Sequence, residues 1–192
     1  MRKGLKRTGW ILLVMLAPFA FGADESKDSY TEAVKVFKSA GESSKFFKDS
    51  YGYALFPTIG KGAIIVGGAY GDGRVYAQGK QIGTASMAQL SVGLQMGGQA
   101  YSEIIFFQDK RSLDEFTSGN FEFGADIGAV AITAGASAGA GTSGATASAS
   151  GGQHDATTAG NYYKGVVVFT VAKGGLMYQA AVEGQKFTYK AL

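Results

Sequence analysis

The spacing of apolar residues divides the chain into a helical N-terminal part and a strand-rich remainder. Tyr30, Ala33 and Phe37 recur at the spacing of one helix face, and charged residues fill the positions between them. From Lys61 onward the apolar residues alternate with polar or small ones, which is the period of a half-buried strand. The pattern predicts an amphipathic helical segment over residues 29–51 and a sheet after it.

Local sequence indicates where the helices begin and end. Ser29 and Glu32 fit the S-x-x-E capping box, so the first helix is predicted to begin there. Gly41 is predicted to end it, because glycine favours helix C-termini. A second short helix containing Phe46 is predicted to stop before Pro57, which cannot continue one.

The strand-rich part contains several turn signals. Gly71-Asp72-Gly73 is predicted to be the tight turn of a first hairpin, because Asp-Gly tolerates positive φ. Asp109 is predicted to cap a short helix. Strands are predicted around residues 62–70, 74–78, 89–96, 102–107, 121–127, 162–171, 176–183 and 187–189.

These elements together predict an α+β, β-dominated fold. Glycine within many of the short strands permits the kinks that curvature requires. We therefore expect N-terminal amphipathic helices packed on a strongly bent antiparallel sheet or on a closed barrel. Residues 133–161 are mostly Ala, Gly, Ser and Thr, a composition that buries little apolar area and predicts a flexible insertion.

The first 22 residues have the organisation of a secretory signal peptide. Four cationic residues precede an apolar run that is shorter than the ~20 residues a membrane-spanning helix needs. Small residues at positions 20 and 22 predict cleavage before Ala23, which leaves residues 23–192 as a single domain. The alternative is an uncleaved N-terminal anchor. Cleavage predicts a periplasmic or secreted protein, with peripheral membrane association as a further expectation.

The net charge of the chain changes when the predicted signal peptide, the leader at residues 1–22, is removed. The full chain has 18 Lys and Arg against 15 Asp and Glu, and four of the cations lie in residues 1–22. The predicted mature domain is therefore close to neutral, with its cations interspersed among acids. Nucleic acid is not expected as a partner, since such binders present a dense basic face.

Sequence patterns typical of catalytic sites occur only in the Ala, Gly, Ser and Thr-rich segment, where such matches arise easily by chance. Residues 139–144 match G-x-G-x-x-G without the βαβ context of dinucleotide binding. Ser137 lies in a G-x-S-x-G string, and His154 is the one histidine. A hydrolase using Ser137 ranks third among the interpretations, because both residues lie in the predicted flexible insertion. We therefore expect that the protein has no enzymatic activity.

Metal and cofactor chemistry has little support in the composition. One histidine and no cysteine leave only carboxylates as ligands, which argues against zinc. No calcium-loop spacing is present. We expect neither a cofactor nor a metal. The carboxylates considered are Asp109, Asp114, Glu115 and Asp126.

The order of several motifs resembles the SYLF domain family, in particular its exported bacterial members. YGYALFPTIGKG at residues 51–62 and GGAYGDGRVY at residues 67–76 resemble the opening of that domain. GLQMGGQ at 93–99, IIFF at 104–107 and FTSG at 116–119 resemble later blocks in the same order. YKGVVV at 163–168 continues the match. The resemblance covers most of the predicted mature chain and depends on this order.

The resemblance implies a non-enzymatic lipid-binding module at a membrane surface. Eukaryotic members associate with phosphoinositides and actin through an N-terminal amphipathic segment and basic residues, and only a general phospholipid affinity carries over to an exported bacterial chain. For the helical segment, packing against the domain is favoured over insertion into a membrane. The second functional interpretation is a structural cell-envelope protein such as a small outer-membrane barrel. The implied lipid contacts are Lys35, Lys38, Lys45, Lys48, Lys61 and Arg74.

Overall fold

The computed structural model describes residues 27–62, 68–90, 100–124, 127–132, 160–173, 182 and 184–192. Its helices are α1 (Lys27–Ser39), α2 (Gly41–Ser44), α3 (Phe46–Asp49) and α4 (Lys110–Thr117). Its strands are β1 (Gly52–Gly62), β2 (Gly68–Ala77), β3 (Lys80–Leu90), β4 (Ala100–Phe107), β5 (Phe121–Glu122), β6 (Ala129–Ile132), β7 (Val166–Lys173) and β8 (Gln185–Ala191).

The eight strands form one sheet. Their order is β5-β8-β3-β2-β1-β4-β7-β6, and every neighbouring pair is antiparallel except β6 with β7. The predicted β-dominated α+β class is confirmed. Within the described residues β5 and β6 are edge strands, so this part of the chain forms a strongly curved sheet with two open edges.

Helices cover both faces of the sheet and create two cores. The inner core lies inside the curve, where α4 packs on the sheet. The outer core lies on the opposite face, under α1 and α3. The inner core includes Phe56, Met87, Phe107, Phe116, Phe123 and Phe187. The outer core includes Tyr30, Phe37, Phe46, Leu55, Phe106 and Phe169.

The helical segment differs in detail from the prediction. It is helical in three pieces, and α1 begins at Lys27, two residues before the predicted cap at Ser29. Gly41 begins α2 rather than ending α1. The predicted short helix at Phe46 is confirmed as α3. Among the described residues no helix is both long and apolar enough to cross a bilayer.

The sheet begins at Gly52, earlier than the predicted start at Lys61. The predicted start is therefore wrong, and Pro57 lies inside β1. Proline cannot donate to a ladder and is tolerated within sheets at bulges. The register of β1 shifts across Pro57 in both of its strand pairings. With β2 the shift lies between Leu55 and Thr58, and with β4 it lies between Phe56 and Ile59.

The predicted turn at Gly71-Asp72-Gly73 is also wrong. β2 runs straight through it, and the reversal occurs at Gln78 and Gly79, which have φ of 47° and 80°. The two glycines are required by packing instead. A Cβ on Gly71 would lie 2.7 Å from Ile59 Cγ1, and one on Gly73 would lie 2.6 Å from Phe56 Cδ1.

The predicted α4 is confirmed with its cap. The Asp109 carboxylate accepts a hydrogen bond from the Ser112 backbone N–H at 2.9 Å, and the Asp109 N–H donates to Ser112 Oγ. Several predicted features lie outside the described residues: the leader at 1–22, residues 91–96 of the strand predicted over 89–96, Asp126, nearly all of 133–161 with Ser137 and His154, and most of 176–183.

Candidate functional site

The helical layer, defined as α1 to α3, is docked on the outer face of the sheet by aromatic side chains. Phe37 is fully buried, and Tyr30 and Phe46 are 6% and 5% exposed. The Phe46 ring lies 5.6 Å from the ring of Phe106 in β4 and 5.3 Å from that of Phe169 in β7. The apolar stripe predicted from the sequence is therefore part of the outer core, as the packing interpretation predicted.

The four predicted lipid-contacting lysines of this layer all face solvent. Lys35, Lys38, Lys45 and Lys48 are exposed. The Lys38 ammonium lies 5.3 Å from the centroid of the Phe47 ring, and that of Lys45 lies 5.0 Å from the Phe46 centroid. Each of these contacts orients an ammonium group above an aromatic ring and adds a modest cation–π attraction.

Arg74 is the predicted residue that the fold brings against the helical layer. It projects from β2, and its Cζ lies 3.8 Å from the centroid of the Tyr30 ring in α1. The Tyr30 hydroxyl donates to the backbone oxygen of Asp72 at 3.4 Å. Lys61 lies in β1 opposite Ala69, and its side chain is outside the described part.

The part of the outer face beyond the helical layer is polar and open to solvent. Registers of β2, β3 and β8 align three rows of outward-facing side chains. We call this surface the open face. Its rows are Tyr70, Ala88 and Lys186; Asp72, Ser86 and Thr188; and Arg74, Thr84 and Lys190.

Sequence reasoning missed the β8 part of the open face. The alternation of Lys186, Thr188 and Lys190 with Phe187 and Tyr189 was the available indication, since it places the polar side chains on one face. All three polar residues are exposed. Lys186 lies 3.5 Å from a Glu122 carboxylate oxygen.

Asp72, which was predicted to lie in a tight turn, instead forms side-chain hydrogen bonds on the open face. Oδ1 of its carboxylate accepts hydrogen bonds from the Tyr70 hydroxyl at 2.8 Å and from the Ser86 hydroxyl at 2.7 Å. The carboxylate is thereby tied to side chains of its own row and the row of Tyr70. Among the described residues it forms no ion pair with Arg74.

The inner core contains a polar cluster that the sequence did not reveal. Glu103, Thr170 and Gln185 are fully buried there, and Tyr101 is 2% exposed. The Gln185 amide donates to Glu103 Oε2 at 2.9 Å and to the Tyr101 hydroxyl at 3.2 Å. Burial raises the pKa of Tyr101, the Glu103 charge raises it further, and the Gln185 hydrogen bond opposes both.

The candidate carboxylates that the structure describes are used in local structure. Asp109 caps α4, while Asp114 and Glu115 pair with Lys110 and Arg111 one turn away. Within the described ranges no group of three or more His, Asp or Glu side chains is placed to hold a metal ion.

Comparison with known proteins identifies relatives of this chain. A family model described as Ysc84, Las17-binding protein actin regulator, matches residues 88–191, which is more than half of the chain. Beta cell expansion factor A of Aeromonas veronii is 24% identical over 160 residues, covering 82% of this chain and 52% of that protein. The chain thus spans about half the length of this curated relative. The resemblance found in the sequence motifs is confirmed, and the chain belongs to the Ysc84, or SYLF, family.

Proposed function

We propose that this protein is a non-enzymatic, exported module that binds phospholipid at a membrane surface. The observation that supports the proposal most directly is the helical layer, which exposes Lys35, Lys38, Lys45 and Lys48 while its aromatic side chains pack on the sheet. Exposed ammonium groups on a docked layer suit contact with anionic headgroups. They do not require the helices to enter the bilayer.

The strength of such contact follows from electrostatics. A Lys close to an anionic membrane surface contributes ~1 kcal/mol, and this attraction falls off within a Debye length of about 10 Å at 0.1 M salt. Several engaged lysines therefore give measurable association that weakens as salt rises. Export after removal of residues 1–22 would place the protein next to such surfaces, and N-terminal sequencing of the exported form tests that part.

Vesicle co-sedimentation tests the binding itself. The mature chain is mixed with phosphatidylcholine vesicles with and without phosphatidylglycerol, at low and high salt. We expect binding that depends on the anionic lipid and is weakened by salt. Changing Lys35, Lys38, Lys45 and Lys48 together to Gln should reduce it strongly.

A matched pair of double variants controls for net charge. Lys35→Gln with Lys38→Gln removes two charges from the helical layer, and Lys110→Gln with Arg111→Gln removes two from α4 on the opposite face of the sheet. The first pair should weaken binding more than the second. Circular dichroism must show equal folding. Equal binding by both doubles, or no binding by the parent chain at any salt concentration, would overturn the proposal.

A further inference from the structure

Arg74 has the environment of an anion-binding side chain. The Cζ atom of its guanidinium lies 3.8 Å from the centroid of the Tyr30 ring, and the residue is half-buried at the border between the helical layer and the open face. Among the described residues it has no carboxylate partner. A guanidinium has five N–H donors and no acceptor. The contact with Tyr30 restrains the guanidinium, and none of its N–H groups donates to a side chain or backbone acceptor within the described part of the chain.

Two further donors lie in the same row of the open face. The registers place Thr84 of β3 directly beside Arg74, and Lys190 of β8 directly beside Thr84. Both residues are exposed, and their side chains form no hydrogen bond or ion pair within the described part of the chain. Adjacent strands are about 4.8 Å apart, so the backbones of Arg74 and Lys190 are separated by about 10 Å. Their long side chains can converge above the short Thr84.

We propose that Arg74, Thr84 and Lys190 form a cradle for the phosphate group of a lipid headgroup. The inference rests on the proposed membrane function and locates a specific headgroup contact on the open face. Phosphate fits these donors because a guanidinium edge matches two of its oxygens, while an ammonium and a hydroxyl can bind the others.

The surrounding charges favour an anion in this row over the other two. The Asp72 carboxylate is held by Tyr70 and Ser86, and Lys186 lies near Glu122. The row of Arg74 has two cations and no acid. It also adjoins α1, so a bilayer that contacts the exposed lysines of the helical layer can reach the cradle.

The test compares two anionic surfaces of matched charge density. Phosphatidylcholine vesicles contain either phosphatidic acid, which exposes a phosphate, or oleate, which exposes a carboxylate and has no phosphate. We expect tighter binding of the mature chain to the phosphatidic acid vesicles. Arg74→Lys retains the charge but loses the planar fork, and should weaken that binding about tenfold while leaving binding to oleate vesicles nearly unchanged.

Two other variants separate the cradle from the docking of α1. Thr84→Val and Lys190→Gln alter the cradle without touching Tyr30, and each should reduce the preference for phosphatidic acid about threefold to fivefold. Lys110→Gln is the matched control, because it removes one exposed charge from α4 on the opposite face, and it should leave the preference unchanged. Equal melting temperatures establish that all variants are folded.

The outcomes distinguish the cradle from the wider proposal. If the parent chain binds anionic vesicles and none of the three cradle variants alters the phosphatidic acid preference, the cradle is wrong and the membrane function stands. If the parent chain binds no vesicle, both fail. If the parent chain binds inorganic phosphate at millimolar concentration but shows no preference for phosphatidic acid over oleate vesicles, the row is a site for the free anion and the lipid assignment is overturned.

Discussion

The Gln185 side-chain amide donates a hydrogen bond to Glu103 across the interior of the sheet, although three strands separate β8 from β4 in the sheet order. In a flat sheet the four intervening steps would place these strands about 19 Å apart. The observed nitrogen–oxygen distance of 2.9 Å therefore measures how strongly the sheet curves. The contact joins the two sides of the inner core.

Removing this link should destabilise the domain. Gln185→Ala takes one hydrogen-bond donor away from the buried Glu103 carboxylate and from the Tyr101 hydroxyl, and the loss of a hydrogen bond to a buried polar group costs about 1–3 kcal/mol, more when the group is charged. We expect the free energy of unfolding in urea to fall by about 2–4 kcal/mol. The matched control is Gln81→Ala, at a partly exposed position with a long contact of 3.5 Å to Gly83. Equal losses for the two variants would show that the link contributes nothing particular.

Several elements were predictable because their determinants are local. The α4 helix follows from the side chain of Asp109 and the apolar spacing of Leu113 and Phe116. The docked stripe of α1 follows from the spacing of Tyr30 and Phe37. Each depends on residues within one or two turns of helix, which the sequence displays directly.

Other features depend on contacts between distant residues and were not predictable. Gly73 matches a turn pattern, and only the Phe56 ring on a neighbouring strand shows that it serves packing. Glu103 and Gln185 look like surface residues until the curvature of the sheet brings them together. Arg74 was predicted as a lipid contact, but its stacking on Tyr30 and its row with Lys190 required the strand registers.

The packing role of Gly73 gives a second prediction. Gly73→Ala places a Cβ 2.6 Å from Phe56 Cδ1 and 2.8 Å from the Leu55 carbonyl oxygen, which forces the two strands to shift. Overpacking of this kind costs typically about 1–3 kcal/mol, measured as the loss in unfolding free energy. Gly60→Ala is the control, since a Cβ there meets nothing within 4 Å. Tolerance of Gly73→Ala equal to that of Gly60→Ala would contradict the packing role.

The raised pKa of the Tyr53 hydroxyl predicts that the protein loses stability in alkaline solution. Burial, with a smaller contribution from the neighbouring Tyr76, raises its pKa to about 12. An unfolded chain releases the tyrosine proton near pH 10, so the folded state retains a proton that the unfolded state has lost. The stabilising contribution is complete below about pH 10 and is lost as pH rises toward about 12.

The titration of tyrosine absorbance and the pH dependence of urea unfolding measure this effect. Tyr53→Phe keeps the ring that stacks on Tyr76 at 4.7 Å and removes the ionising hydroxyl. Its unfolding free energy should fall less steeply between about pH 10 and 12 than that of the parent chain. Identical slopes for the two proteins would show that the Tyr53 hydroxyl ionises equally in the folded and unfolded states.

The docking of α1 predicts that the helix stays on the sheet when the protein binds a membrane. Phe37 is fully buried and Ala33 is 6% exposed, so detachment would expose the apolar stripe and open the outer core. Returning one large apolar side chain to water costs about 1.5–3 kcal/mol, and several would be exposed together. The exposed lysines can meet anionic headgroups without that loss. The sequence has no cysteine, so single introduced thiols report on the helix directly.

Ala33→Cys and Lys35→Cys form a matched pair two residues apart on α1, one buried and the other exposed. We expect the thiol at position 35 to react rapidly with a water-soluble maleimide, and that at position 33 to stay protected with or without anionic vesicles. Co-sedimentation must show that both variants are bound during the reaction. Because exposure of position 33 requires α1 to leave the sheet, a large increase in its reactivity on adding vesicles would show that the helix detaches and offers its apolar stripe to the bilayer.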